Sequence, residues 1–180
     1  MFKIITMLIF TFTSSICFAQ SEFPVNFMMQ ADVTPINSGF KIESVVTSPN
    51  KITVRYDVDN KRFNDAHSTL IVETNIPEKR KESFYYDIYI IKNKASCLLN
   101  SGKIIPYDTP TLEITNNDGV FVEINTVSPM RWQNFDDVIS NKKASIKDIN
   151  ISFSTIPVTD FINNYKNCAG EVTLIVGLSI

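Results

Sequence analysis

From Phe23 to Val33 every odd position is apolar: Phe23, Val25, Phe27, Met29, Ala31 and Val33. Between them lie Pro24, Asn26, Met28, Gln30 and Asp32, followed by Thr34, so Met28 alone interrupts the polar face. Successive strand side chains point to opposite faces, and this pattern predicts a strand with one apolar edge, stopped at Pro35. The same period of two returns along the chain. Ile52, Val54, Tyr56 and Val58 alternate with polar residues. Phe84, Tyr86, Ile88 and Ile90 share one face of a central strand, with Tyr85, Asp87, Tyr89 and Ile91 on the other. Val172, Leu174, Val176 and Leu178 alternate with Glu171, Thr173, Ile175 and Gly177. Ser48-Pro49-Asn50 and Asn116-Asn117-Asp118-Gly119 supply turn signals between such runs. About eight to ten short strands with turns between them predict an all-β sandwich. Two stretches depart from the pattern. Ser128 to Lys143 suits a short helix or a long loop, and Thr159 to Tyr165 suits one or two helical turns capped by Thr159 or Asp160.

The first 19 residues read as a secretory signal. Lys3 provides the positive start, Ile4 to Phe12 a short apolar core, and Cys17-Phe18-Ala19 a small-x-small cleavage site. The mature chain is then expected to begin at Gln20, with a strand-forming segment over 20–35 and one domain over 36–180. Cleavage removes Cys17 and leaves Cys97 and Cys168, an even pair in an oxidising compartment, so a disulfide between them is expected.

A net charge of −2 gives no reason to expect nucleic acid or an anionic membrane as partner. The sequence offers no catalytic constellation either. His67, in a predicted polar segment where solvation is the expectation, is the one histidine, and no H-E-x-x-H, G-x-S-x-G or phosphate-cradling glycine loop is present. No enzyme activity, cofactor or metal is expected. Asp136-Asp137 and the run Pro77 to Glu82 are read as solvated charge.

The two ends are the informative parts. The N-terminal strand precedes the domain on a short connector. The C-terminal strand is apolar on both faces, as buried strands are, and no later strand is expected to cover its edge. A detachable strand beside an incomplete sandwich is the layout of a subunit that completes its neighbour by strand addition.

FPVNFMMQADVTP, closing on Ala31, Val33 and Pro35, resembles the N-terminal segment of the alpha-class chaperone–usher pilins, the coli surface antigen and colonization factor type of fimbrial subunit. Ile52 to Tyr56, Phe63 and Ile71 to Asn75 are similar to that family's landmarks, and Asn164-Tyr165 with Gly170-Glu-Val-Thr-Leu resembles its closing strand. The stretch from about Lys92 to Pro157 does not align, and Cys97 and Cys168 depart from the pattern of the major subunits. The resemblance implies an immunoglobulin-like sandwich lacking its last strand and completed by donor-strand exchange. Phe23, Val25, Phe27, Met29, Ala31 and Val33 would enter a neighbour's groove, with Ala31 as the point of close approach. Val172, Leu174, Val176 and Leu178 would line or flank that groove. The implied partners are further copies or related subunits, a periplasmic chaperone and an outer-membrane usher, with a host receptor unidentified. The implied place is a fimbria on the bacterial surface, as a shaft, minor or tip subunit. The alternative is a secreted monomeric β-sandwich that binds a glycan or protein, with its first strand paired inside its own domain.

Overall fold

The structure is a computed structural model that describes residues 25–34, 39–156 and 164–179; within the first segment it places the side chains of residues 27–31. The expected signal peptide, Phe23 and most of the Thr159 to Tyr165 stretch lie outside the described residues. In chain order the strands are β1 (Val25–Thr34), β2 (Ile42–Ser48), β3 (Lys51–Val54), β4 (Tyr56–Asp57), β5 (Arg62–Phe63), β6 (Ala66–Pro77) and β7 (Tyr85–Leu99). They continue with β8 (Ile104–Tyr107), β9 (Thr111–Thr115), β10 (Phe121–Ile124), β11 (Met130–Asn134), β12 (Asp137–Ile139), β13 (Lys142–Ser152) and β14 (Tyr165–Ser179).

These strands form an all-β sandwich. One sheet has the order β11-β7-β14-β1-β3, with β8 also on β7; the other runs β10-β9-β13-β6-β2, with β12 also on β13; β4 and β5 form a small ribbon. Alternation decides which side chains enter the core. On β6, Ala66, Ser68, Leu70, Val72, Thr74 and Ile76 are all buried, while His67 faces solvent from the same strand. From the opposite sheet Tyr86, Ile88, Val172, Leu174 and Val176 meet them in one apolar cluster.

Three expectations change. The stretch from Ser128 to Lys143 holds β11, β12 and the start of β13, not a helix or a loop. Its polar residues lie on edge strands with one solvated face, where apolar alternation is not required. Tyr165 opens β14, because the last strand starts six residues before Glu171 and pairs with β7 from Leu99 onward. His67, expected in a polar segment, sits on β6.

Strand β7 carries a register change that the alternation did not announce. Thr173 lies opposite Lys92 but Leu174 lies opposite Ile90, so Ile91 is an extra residue and its side chain is exposed. Before it the inward residues are even-numbered, Tyr86, Ile88 and Ile90; after it Cys97 turns inward and becomes buried. A one-residue bulge of this kind exchanges the two faces of a strand.

Tyr86 ties the sheets together. It is fully buried, and its hydroxyl shares a hydrogen bond with Ser145 Oγ of β13 at 2.7 Å. Burial pushes its phenol far above the ordinary tyrosine range, and burial does the same to Tyr107. A raised folded-state pKa means that the unfolded chain loses these protons first. Stability is therefore complete below about pH 10 and falls as the pH rises through and above that value. Tyr86→Phe should flatten part of this alkaline loss, seen by comparing urea midpoints at about pH 9 and about pH 11. An unchanged alkaline slope in Tyr86→Phe would refute the assignment.

Candidate functional site

β14 supplies the wall of the site. From Cys168 onward its even-numbered residues keep one phase: Cys168, Val172, Leu174, Val176 and Leu178 are buried toward the core, and Gly170 occupies the same face. One edge of β14 pairs with β7 in antiparallel fashion. The other edge holds β1, which runs parallel to it from Val25 opposite Cys168 to Thr34 opposite Gly177. All other ladders among the described residues are antiparallel. On its far side β1 pairs with β3 over Val25 to Met28 alone, beyond which Met29 N–H donates to the Asn50 carbonyl at 3.0 Å.

The register sets the odd positions of β1 beside the even positions of β14. Phe27 lies opposite Gly170, Met29 opposite Val172, Ala31 opposite Leu174 and Val33 opposite Val176. Phe27 and Met29 are buried at 1% and 4% exposure, Ala31 is half-buried against the core, and Met28 is 65% exposed. Leu178 lies one residue past the ladder with β1; it is buried and pairs with Tyr86 of β7. Five of the six expected donor positions and three of the four expected groove positions therefore share one ladder, and Phe23 falls outside the described residues. The strand is seated in the groove of its own chain, which is the pairing expected of the self-contained alternative.

Within the single chain the close approach is at Phe27. A Cβ built on Gly170 would overlap the Phe27 ring, with its Cζ at 2.7 Å and Cδ1 at 2.8 Å. Glycine inside a strand marks such an approach, since any side chain would fill the space. Around this seat the ring of Phe27 meets Phe153 at 5.0 Å, Phe153 meets Phe63 at 5.8 Å, and Phe63 meets Tyr56 and Tyr107 edge-on. The hydroxyls of Tyr56 and Tyr107 donate to the carbonyls of Ile156 and Ser154, so the cluster buries rings while its polar tips are satisfied. Burial raises both phenols, Tyr56 less than Tyr107. Sequence reasoning gave Gly170, Phe153 and Tyr107 no place in the site, although Gly170 stood in the closing-strand motif. Gly170 alone carried a usable signal, as a glycine in phase with the buried face.

Cys97 and Cys168 are joined by a disulfide, directly opposite one another on β7 and β14. The bridge fastens the groove wall at the end where β1 begins. Lys92 of β7 and Glu171 of β14 form an ion pair on the outer face of the same two strands.

The arrangement can hold an extended segment. It offers a ladder of backbone groups for affinity, and a deep aromatic seat with shallower apolar positions for register. Among the described residues no group of three or more His, Cys, Asp or Glu side chains could hold a metal ion. No family model matches the chain, and no curated protein matches it.

Proposed function

We propose that this protein is a structural subunit of a chaperone–usher fimbria, assembled when the N-terminal strand of one copy enters the β14 groove of the next. The supporting observation is the position of β1. A strand from the chain's N-terminal end fills an interior place in the sheet, between β14 and β3. Its removal would uncover Val172, Leu174 and Val176 along a ready strand-wide slot.

The pairing in the single chain also leaves a gain for exchange. Parallel ladders are slightly less stable per residue than antiparallel ones. The same apolar pattern arriving from another copy could enter in the antiparallel sense that the rest of the sheet adopts. Each fully buried side chain such as Phe27 or Met29 contributes about 1.5–3 kcal/mol, and this term is similar whichever copy supplies it. The balance between closed monomer and chain then rests on ladder direction, on concentration and on accessory proteins. A periplasmic chaperone would cover the slot before assembly and an outer-membrane usher would order the exchange. In this reading the protein has no catalytic role and reaches the cell surface through the periplasm.

The self-contained sandwich is the second reading. It is favoured by the seating of Phe27 over Gly170 within one chain. One experiment separates the two. A chain lacking residues 20–34, with its export signal kept, is mixed with the intact mature protein. Strand exchange predicts a dissociation-resistant dimer in which the truncated copy accepts the intact copy's strand, and no fibre from the truncated chain alone. If the truncated chain forms fibres by itself, or if no mixed species appears with chaperone and usher present, the proposal fails.

A further inference from the structure

The chain contains one tryptophan, and Trp132 is 57% exposed on β11, the edge strand of its sheet. It lies in an irregular stretch where the ladder to β7 shifts register between Met130 and Gln133. Its φ is 56°, the left-handed region that bulky side chains avoid. Two side chains from elsewhere in the fold hold it there. Asp87 Oδ1 on β7 accepts the Trp132 N–H at 2.9 Å. Asn117, in the β9–β10 turn, donates through Nδ2 to the Trp132 carbonyl at 3.1 Å and accepts the Asn134 N–H at 2.9 Å. The second oxygen of Asp87 accepts the Tyr89 hydroxyl at 3.1 Å. The Tyr85 ring stands edge-on to the indole, with centroids 5.7 Å apart at 78°.

Strained backbone persists only where its surroundings over-determine it, and bulges re-aim side chains. Here both devices turn the largest aromatic side chain of the protein toward solvent. Core packing does not require this, because the adjacent Met130 and Gln133 are the β11 residues that point inward and are buried.

We propose that Trp132 is the stacking platform of a carbohydrate-binding site, taking a pyranose ring on the indole face. Hydroxyls at the sugar's rim would be met by Arg131 and by the hydroxyls of Tyr85 and Tyr89. The chemistry of the patch favours a sugar over a protein. A stable protein interface needs roughly 800 Å² per partner around an apolar centre. The surroundings of Trp132 are instead Asp87, Asn117, Arg131 and two phenols. A pyranose has the matching division, a C–H face and a polar rim. Arg131 is exposed and makes no ion pair among the described residues. Asp87 and Asn117 are positioning residues, since their polar atoms are engaged with the backbone that aims the indole. The proposal does not rest on strand exchange, for the patch lies on β11 and β7, away from β1.

The single tryptophan makes the test direct, because all indole emission comes from this side chain. The mature protein is titrated with free oligosaccharides ending in galactose, N-acetylglucosamine or sialic acid, and its fluorescence is followed. A saturable shift in emission with at least one of them is expected. Trp132→Gly, which suits a positive φ, should lose roughly tenfold or more in affinity, read by calorimetry, while its melting temperature stays at or above that of the parent. Asn117→Ala should weaken binding and change the indole emission before any sugar is added. The proposal is overturned if no sugar of the panel shifts the emission at millimolar concentration, or if Trp132→Gly binds as the parent does. Loss of subunit association in Trp132→Gly, with no sugar bound by the parent, would mark the patch as a protein contact instead.

Discussion

Phe27→Ala is expected to lower the unfolding free energy by about 3–5 kcal/mol, the range for removing a fully buried phenylalanine. The ring is 1% exposed, fills the seat over Gly170 and meets Phe153. Gly170→Ala should be destabilising by a different route. Its new methyl group would occupy the space of the Phe27 ring, and β14 cannot move aside because β7 and β1 flank it. Overpacking of this kind costs about 1–3 kcal/mol. The decisive measurement is the double variant. If ring and glycine form one knob and one hole, Phe27→Ala combined with Gly170→Ala should lose less than the sum of the two single losses, because the methyl group then enters vacated space. Urea unfolding of the four proteins reads this coupling. Strict additivity would show that Phe27 does not sit over Gly170 in solution.

Removing the bridge between Cys97 and Cys168 is the second large effect. The two residues are separated by 71 positions in sequence, and the chain-entropy model gives about 4 kcal/mol for closing a loop of that size. The location adds a consequence beyond the size. The bridge joins β7 to β14 at the end where Val25 meets Cys168, so it keeps the groove wall in place when β1 is absent. Reduction should therefore be milder for the full mature chain than for the chain lacking residues 20–34. In the full chain β1 holds β14 from the other side; in the truncated chain the disulfide is the remaining covalent support of the exposed wall. Cys97→Ala with Cys168→Ala, made in both backgrounds and unfolded in urea, gives the comparison. Equal losses in the two backgrounds would contradict a wall-holding role.

Much of this architecture was readable from residue order because a strand's side-chain period is two and a sandwich buries one face. The apolar phase of β14, the strand nature of β1 and the turn at Asn116 to Gly119 follow from that rule, and the cysteine pair follows from parity together with the expected oxidising compartment. The same rule fails where a strand changes face. Counting by twos from Tyr86 sends Cys97 to the outer surface, and only the extra residue at Ile91 turns it toward Cys168. Polar edge strands such as β11 and β12 carry no alternating signature, so their place had to come from pairing. The aromatic seat depends on residues as far apart as Phe27, Phe63, Tyr107 and Phe153, which no local pattern brings together.

By itself, then, the sequence determined the strands whose apolar residues alternate, such as β1 and β14, and the apolar face of each, because those properties are local and periodic. Tertiary structure alone decided that β1 runs parallel to β14 with Phe27 over Gly170, and that the backbone at Trp132 turns its ring outward. Both depend on contacts between residues distant in the chain, and their free energies exist only once the sheets have met.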